Sequence, residues 1–92
     1  MAYVVVTLKI MPESPNTDLG NIETQARKKV IEFCKSDEIK SAQEPIAFGL
    51  KALKIMFVMD ENKGSTEELE KSIMMLPEIS SVETVDVRRA IG

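Results

Sequence analysis

Residues 50–60 read Leu50-Lys51-Ala52-Leu53-Lys54-Ile55-Met56-Phe57-Val58-Met59-Asp60. Side chains of an extended strand point alternately to its two sides, so Leu53, Ile55, Phe57 and Met59 share one face. Ala52, Lys54, Met56 and Val58 share the other. The first face is wholly apolar and the second carries a lysine, the pattern of a strand with one side against a core.

The opening stretch Tyr3-Val4-Val5-Val6-Thr7-Leu8-Lys9-Ile10 repeats this design with β-branched residues. Val4, Val6, Leu8 and Ile10 fall on one side; Tyr3, Val5, Thr7 and Lys9 fall on the other. Pro12, Pro15 and Asn16 break the strand and start a turn. Between the two strands the period lengthens. Leu19, Ile22, Ala26, Val30 and Phe33 recur at three- and four-residue steps, the stripe of an amphipathic helix over 17–35. Asn16 or Thr17 caps its start, and Asp18 suits the positive end of the helix dipole. Arg27, Lys28, Lys29 and Lys35 lie in its later half, where cations are favoured. The segment 39–48 contains Pro45, which cannot donate to a strand ladder, so it reads as an edge strand or a bulged one. Gly49 permits the bend into residue 50.

Downstream, residues 60–64 form a polar turn, and Ser65 with Glu68 has the spacing of a capping box. The helix it opens turns Leu69, Ile73 and Leu76 inward and stops at Pro77. Residues 82–87 make the last strand, with Val82 on the opposite face from Val85 and Val87. The order strand, helix, strand, strand, helix, strand predicts a single α+β domain over residues 1–92. Its expected form is a ferredoxin-like βαββαβ sandwich, a four-stranded antiparallel sheet with two helices on one face.

Composition narrows the function. Fifteen acidic and twelve basic residues give a net charge of −3, against the cationic surface of a nucleic-acid binder. RNA-recognition domains of this topology also stack bases on aromatics of the open sheet face, where this chain has Tyr3 alone. With no histidine and one cysteine, Cys34, the chain lacks the usual neutral-pH base, the commonest zinc ligand and any disulfide framework. Cys34 sits near a helix C-terminus, where the dipole disfavours a thiolate, so it reads as structural. Glycines 49 and 64 are isolated and form no phosphate loop. No cofactor or metal is expected, nor a membrane span, a signal peptide or direct nucleic-acid binding, which leaves the cytoplasm as the compartment.

Two features point to a protein partner. Val5, Met56 and Val58 lie on the open face as scattered hydrophobes or as a docking patch, and pattern alone supports both. Phe48 falls at a bend between Pro45 and Gly49. A large ring at a loop tip either anchors in a partner's pocket or folds back onto the sheet edge.

The run Glu44-Pro45-Ile46-Ala47-Phe48-Gly49-Leu50-Lys51-Ala52-Leu53-Lys54-Ile55 resembles the core signature of the elongation factor 1-beta and delta guanine nucleotide exchange domain, archaeal branch. Asp60-Glu61, Gly64-Ser65, Leu69-Glu70 and the ending Val82-Glu83-Thr84-Val85-Asp86-Val87-Arg88-Arg89-Ala90 are similar to it as well. The resemblance implies a ferredoxin-like domain that binds the GTPase elongation factor 1-alpha and loosens its GDP and magnesium. It implies that the family's inserting loop aromatic is Phe48, followed by Gly49. Eukaryotic members bring a lysine beside the carboxyl terminus to the magnesium site; this chain has no lysine after Lys71 and ends Ile91-Gly92. Arg88 and Arg89, the cations nearest the end, either perturb the nucleotide and magnesium site in its place or pair with acidic neighbours. A small-ligand regulatory module of the same fold is the alternative, but it calls for a glycine loop where this chain has Pro12, Glu13, Ser14 and Pro15.

Overall fold

In a computed structural model, which describes residues 3–35 and 38–89, the chain forms one sheet and two helices in the expected order. Strand β1 spans Tyr3–Pro12, helix α1 Leu19–Cys34, β2 Ile39–Pro45, β3 Lys51–Asp60, α2 Glu67–Met74 and β4 Ile79–Arg89. A short 3-10 turn, Glu61–Lys63, joins β3 to the approach to α2. The sheet is antiparallel throughout, ordered β2-β3-β1-β4.

Hydrophobic patterning dictates that order. The strands with unbroken apolar faces, β1 and β3, take the centre, where their inner rows are sealed between neighbours and helices. Val6, Leu8, Ile10, Leu53, Ile55, Phe57 and Met59 are buried with Leu19, Ile22, Ala26 and Val30 of α1 and Leu69 and Ile73 of α2. One core therefore lies between a single sheet face and both helices. The edge strands can afford less: β2 buries only Ile39 and β4 only Ile79, and Pro45 at the end of β2 blunts that edge. Phe33 meets Phe57 edge to face, with ring centroids 6.5 Å apart, and the Lys63 ammonium lies 5.2 Å from the Phe33 centroid. Cys34 is half-buried against the same core.

The structure departs from the sequence reading at element ends. Strand β1 runs on to Pro12, opposite Ile79, because a register shift there removes the need for a proline N–H. Asp18, rather than Asn16 or Thr17, caps α1, its Oδ1 accepting the Asn21 N–H at 3.2 Å. The last turn of α1 holds no cation; Lys35 follows as a left-handed cap with φ 59°. The capping box does not form. Ser65 accepts the Glu67 N–H, while Thr66 occupies the cap position and turns its hydroxyl to Glu70 and Thr84. The last strand is longer than expected, and its faces differ. Thr7 lies opposite Asp86 but Leu8 opposite Thr84, so Val85 is an extra residue in the ladder. That irregularity resets the alternation and puts Val87, opposite Val6, on the same face as Val82, opposite Ile10.

Candidate functional site

The hairpin joining β2 and β3 closes on a turn at residues 47–50. The Ile46 N–H donates to the Leu50 carbonyl and the Leu50 N–H to the Ala47 carbonyl, each at 2.9 Å. Both central residues have positive φ, 53° for Phe48 and 80° for Gly49. Hairpin turns of this kind match the twist of the flanking strands and ask for Gly, Asn or Asp at such positions. Gly49 meets that demand. Phe48 does not: a bulky side chain in the left-handed region is an outlier and costs about 1–2 kcal/mol.

Burial does not offset that cost. Phe48 is 96% exposed, so the ring projects into solvent and does not fold back onto the sheet edge. Ile46 beside it is also exposed. The sequence reading missed Ile46 as part of this apolar knob, although its place just after the strand-ending Pro45 was the available signal.

Arg88 and Arg89 occupy the end of β4, and alternation sends them to opposite sides. Arg88, opposite Val5, lies on the open face, where its Nε forms an ion pair with Asp86 Oδ2 at 2.9 Å. Arg89, opposite Val4, lies on the helix side, where its Nη2 donates to Glu61 Oε2 at 2.8 Å. That carboxylate raises the Arg89 pKa above its ordinary value, chiefly through the hydrogen bond. Fully exposed pairs of this type add little to stability, so a partner can exchange them at little cost.

The two groups are not brought together. Arg88 lies opposite Val5, which lies opposite Val58, seven residues along β3 from Lys51 at the hairpin end. At about 3.3 Å per residue that is about 23 Å of strand. Phe48 and the arginines therefore mark opposite ends of the sheet. Residues 90–92, including the Ile91-Gly92 ending, lie outside the described residues.

Between those ends, the open face carries Val5 opposite Val58 and Thr7 opposite Met56. A shallow groove of about 470 Å³ runs along Val5, Met56 and Val58 beside Ile39 and Lys40. Charge borders this patch: Lys54 Nζ stands 2.6 Å from Glu44 Oε2. The Lys54 hydrogen bond is the main cause of a Glu44 pKa below its usual 4.5. A depressed carboxyl pKa contributes stability above the unfolded-state value and loses it as pH falls through the folded-state value. The Glu44 side-chain resonance is therefore expected to titrate below 4.5, and to move back towards it in Lys54→Met. Equal midpoints in the two proteins would contradict the pairing.

The chain is thus a ferredoxin-like α+β sandwich that holds one strained, exposed aromatic at an end of its sheet. A family model described as the EF-1 guanine nucleotide exchange domain matches residues 5–90. Elongation factor 1-beta of Methanobrevibacter smithii is 44% identical over 92 residues, covering 97% of this chain and 98% of that protein. Elongation factor 1-beta of Methanothermobacter thermautotrophicus is 40% identical over 89 residues, with the same coverage of each chain. That of Staphylothermus marinus is 44% identical over 91 residues, again covering 97% and 98%. This chain belongs to the EF-1 guanine nucleotide exchange domain family, and these relatives are archaeal. A solved structure titled BlrP1 BLUF, 12% identical with a TM-score of 0.54, spans 98% of this chain and 56% of its own and reflects the fold alone. Among the described residues no helix is long and apolar enough to cross a membrane.

Proposed function

We propose that this chain is the exchange factor for the translation GTPase elongation factor 1-alpha, promoting GDP release by binding and without making or breaking covalent bonds. The observation that carries this reading is Phe48: a fully presented ring held in a conformation that costs energy and contributes nothing to the core. Local strain at an exposed position is what a ligand clamp retains, and the turn falls within the matched family segment.

Nucleotide affinity in such GTPases rests on magnesium and on backbone amides wrapped around the phosphates. A partner that grips the vacant GTPase more tightly than the loaded one weakens nucleotide by the same factor, because the coupling is reciprocal. About 3 kcal/mol of coupling changes affinity roughly a hundredfold. Phe48, wedged into the GTPase at the far end of the sheet from the arginines, favours the vacant shape. Arg88 and Arg89, released from Asp86 and Glu61, supply positive charge where magnesium is lost. Spanning both ends of the sheet brings the GTPase along its length, which makes Val5, Met56 and Val58 the intervening contact surface.

Release of labelled GDP from purified elongation factor 1-alpha, with and without this protein, tests the reading; an unchanged rate would defeat it. Replacing Arg88 and Arg89 together by alanine is expected to lower the maximal release rate about tenfold while changing the half-saturating concentration less than threefold. An unaltered rate would remove the arginines from the mechanism.

A further inference from the structure

The sheet has two outer edges, β2 and β4, and they are guarded differently. β2 is seven residues long, carries Lys40 and ends on Pro45, devices that discourage a further strand from pairing. β4 runs for eleven residues without a proline or glycine and pairs on one side, with β1. The extra residue at Val85 disturbs its middle. From Asp86 to Arg89 the ladder with β1 is regular again, so the outer backbone groups keep the spacing that another strand needs.

The side chains of that stretch are turned outward. Val87 shares a face with the buried Val6 opposite it, yet is 57% exposed. Val85 is exposed as well. Asp86 and Arg88 stand together on the open face and pair with each other.

The order Asp86-Val87-Arg88 is self-complementary. Laid antiparallel to a copy of itself with the two Val87 residues opposite each other, it sets each Asp86 across from the copy's Arg88 on the open face. The two valines then meet on the helix side. Sliding the copy by two residues puts Asp86 across from Asp86 in one direction and Arg88 across from Arg88 in the other, and like charges directly opposite are destabilising. A slide by one residue mismatches the faces. One register therefore satisfies charge and apolar contact together, and it is that of a two-fold axis, in which the same patch serves both copies.

We propose that the outer edge of β4 over residues 85–89 is a self-association surface, paired antiparallel about Val87 with a second copy of this chain. The two four-stranded sheets join into one, with the helices of both copies on the same side. Each Asp86–Arg88 contact becomes part of a cluster of two carboxylates and two guanidinium groups. A contact this short buries less than the roughly 1,200 Å² of a stable complex, so the association is weak, with a dissociation constant on the order of 100 µM. Paired copies withhold Arg88 from other partners. The inference does not rest on the exchange reading.

Sedimentation of the full chain over about 10 µM to about 1 mM tests it. The parent is expected to pass from monomer mass towards twice that mass, and added salt should weaken the association. Asp86→Arg and Arg88→Asp each set like charges opposite one another, so each variant alone should associate at least about tenfold more weakly. Mixed one to one, the two variants bring opposite charges together again, and the mixture should associate as the parent does. That recovery also shows that both variants are folded. A parent that stays monomeric at the highest concentration overturns the self-pairing and leaves the edge to a strand of another protein. Parental association of either variant alone, or a mixture that stays monomeric, overturns it too. No GTPase enters these measurements, so the exchange reading stands or falls separately.

Discussion

Phe48→Asn is expected to give a protein that is more stable than the parent and nearly inert in exchange. Asparagine tolerates the left-handed conformation and suits the first central position of this turn, so the substitution relieves about 1 kcal/mol of backbone strain. In a domain of this size that raises the Tm by about 4–8 °C. Removing the ring takes away the projecting anchor, and central aromatic anchors are worth at least about 2 kcal/mol, or about thirtyfold in the assay. Phe48→Ala makes the complementary case. It removes the ring but keeps a Cβ at φ 53°, so exchange should fall by a similar factor with no gain in stability. Phe48→Tyr should retain most of the activity. If Phe48→Asn exchanges nucleotide at the parental rate, the ring has no part in docking.

The largest effect on folding is expected at Phe57→Ala. Phe57 is 1% exposed, lies at the centre of the apolar row of β3, and packs edge to face on Phe33. Truncating a buried phenylalanine costs about 3–5 kcal/mol from lost transfer energy and the cavity left behind. Domains of this size hold only about 5–15 kcal/mol in total, so the variant should lose a large share of its stability. Urea denaturation followed by circular dichroism reads this as a lower midpoint with an unchanged slope. A shift worth less than about 1 kcal/mol would show that the core closes around the gap. The two substitutions separate the jobs of neighbouring phenylalanines in one hairpin. Phe57 is expected to govern folding and Phe48 exchange.

The core was legible because it is written in period. Alternation in 3–10 and 50–60 identified the two central strands and their inner faces, and the three- and four-residue steps of Leu19, Ile22, Ala26 and Val30 gave the buried stripe of α1. Where the chain leaves strict periodicity, local hydrogen bonding decides and pattern is silent. Asp18 won the cap through a bond to the Asn21 amide, and Thr66 gave up a capping bond for contacts with Glu70 and Thr84. Val87 changed face because of one extra residue at Val85. An alternation argument has no means of counting such a residue.

At the site, Phe48 was legible from its neighbours, Pro45 and Gly49, but its strain was not. Positive φ at a non-glycine residue is set by the hairpin's closing hydrogen bonds. The separation of Phe48 from Arg88 and Arg89 follows only from strand register, and the approach of Pro15 to Gly49 only from tertiary packing. Neither is encoded in any short stretch of residues.

Binding to purified elongation factor 1-alpha, compared between its GDP–magnesium form and its nucleotide-free form by calorimetry under identical salt, is the most direct measurement. A domain that expels nucleotide by preferring the vacant GTPase must hold that form at least about a hundredfold more tightly. Equal dissociation constants for the two forms would mean that it binds without shifting the equilibrium, and the proposed mechanism would be wrong.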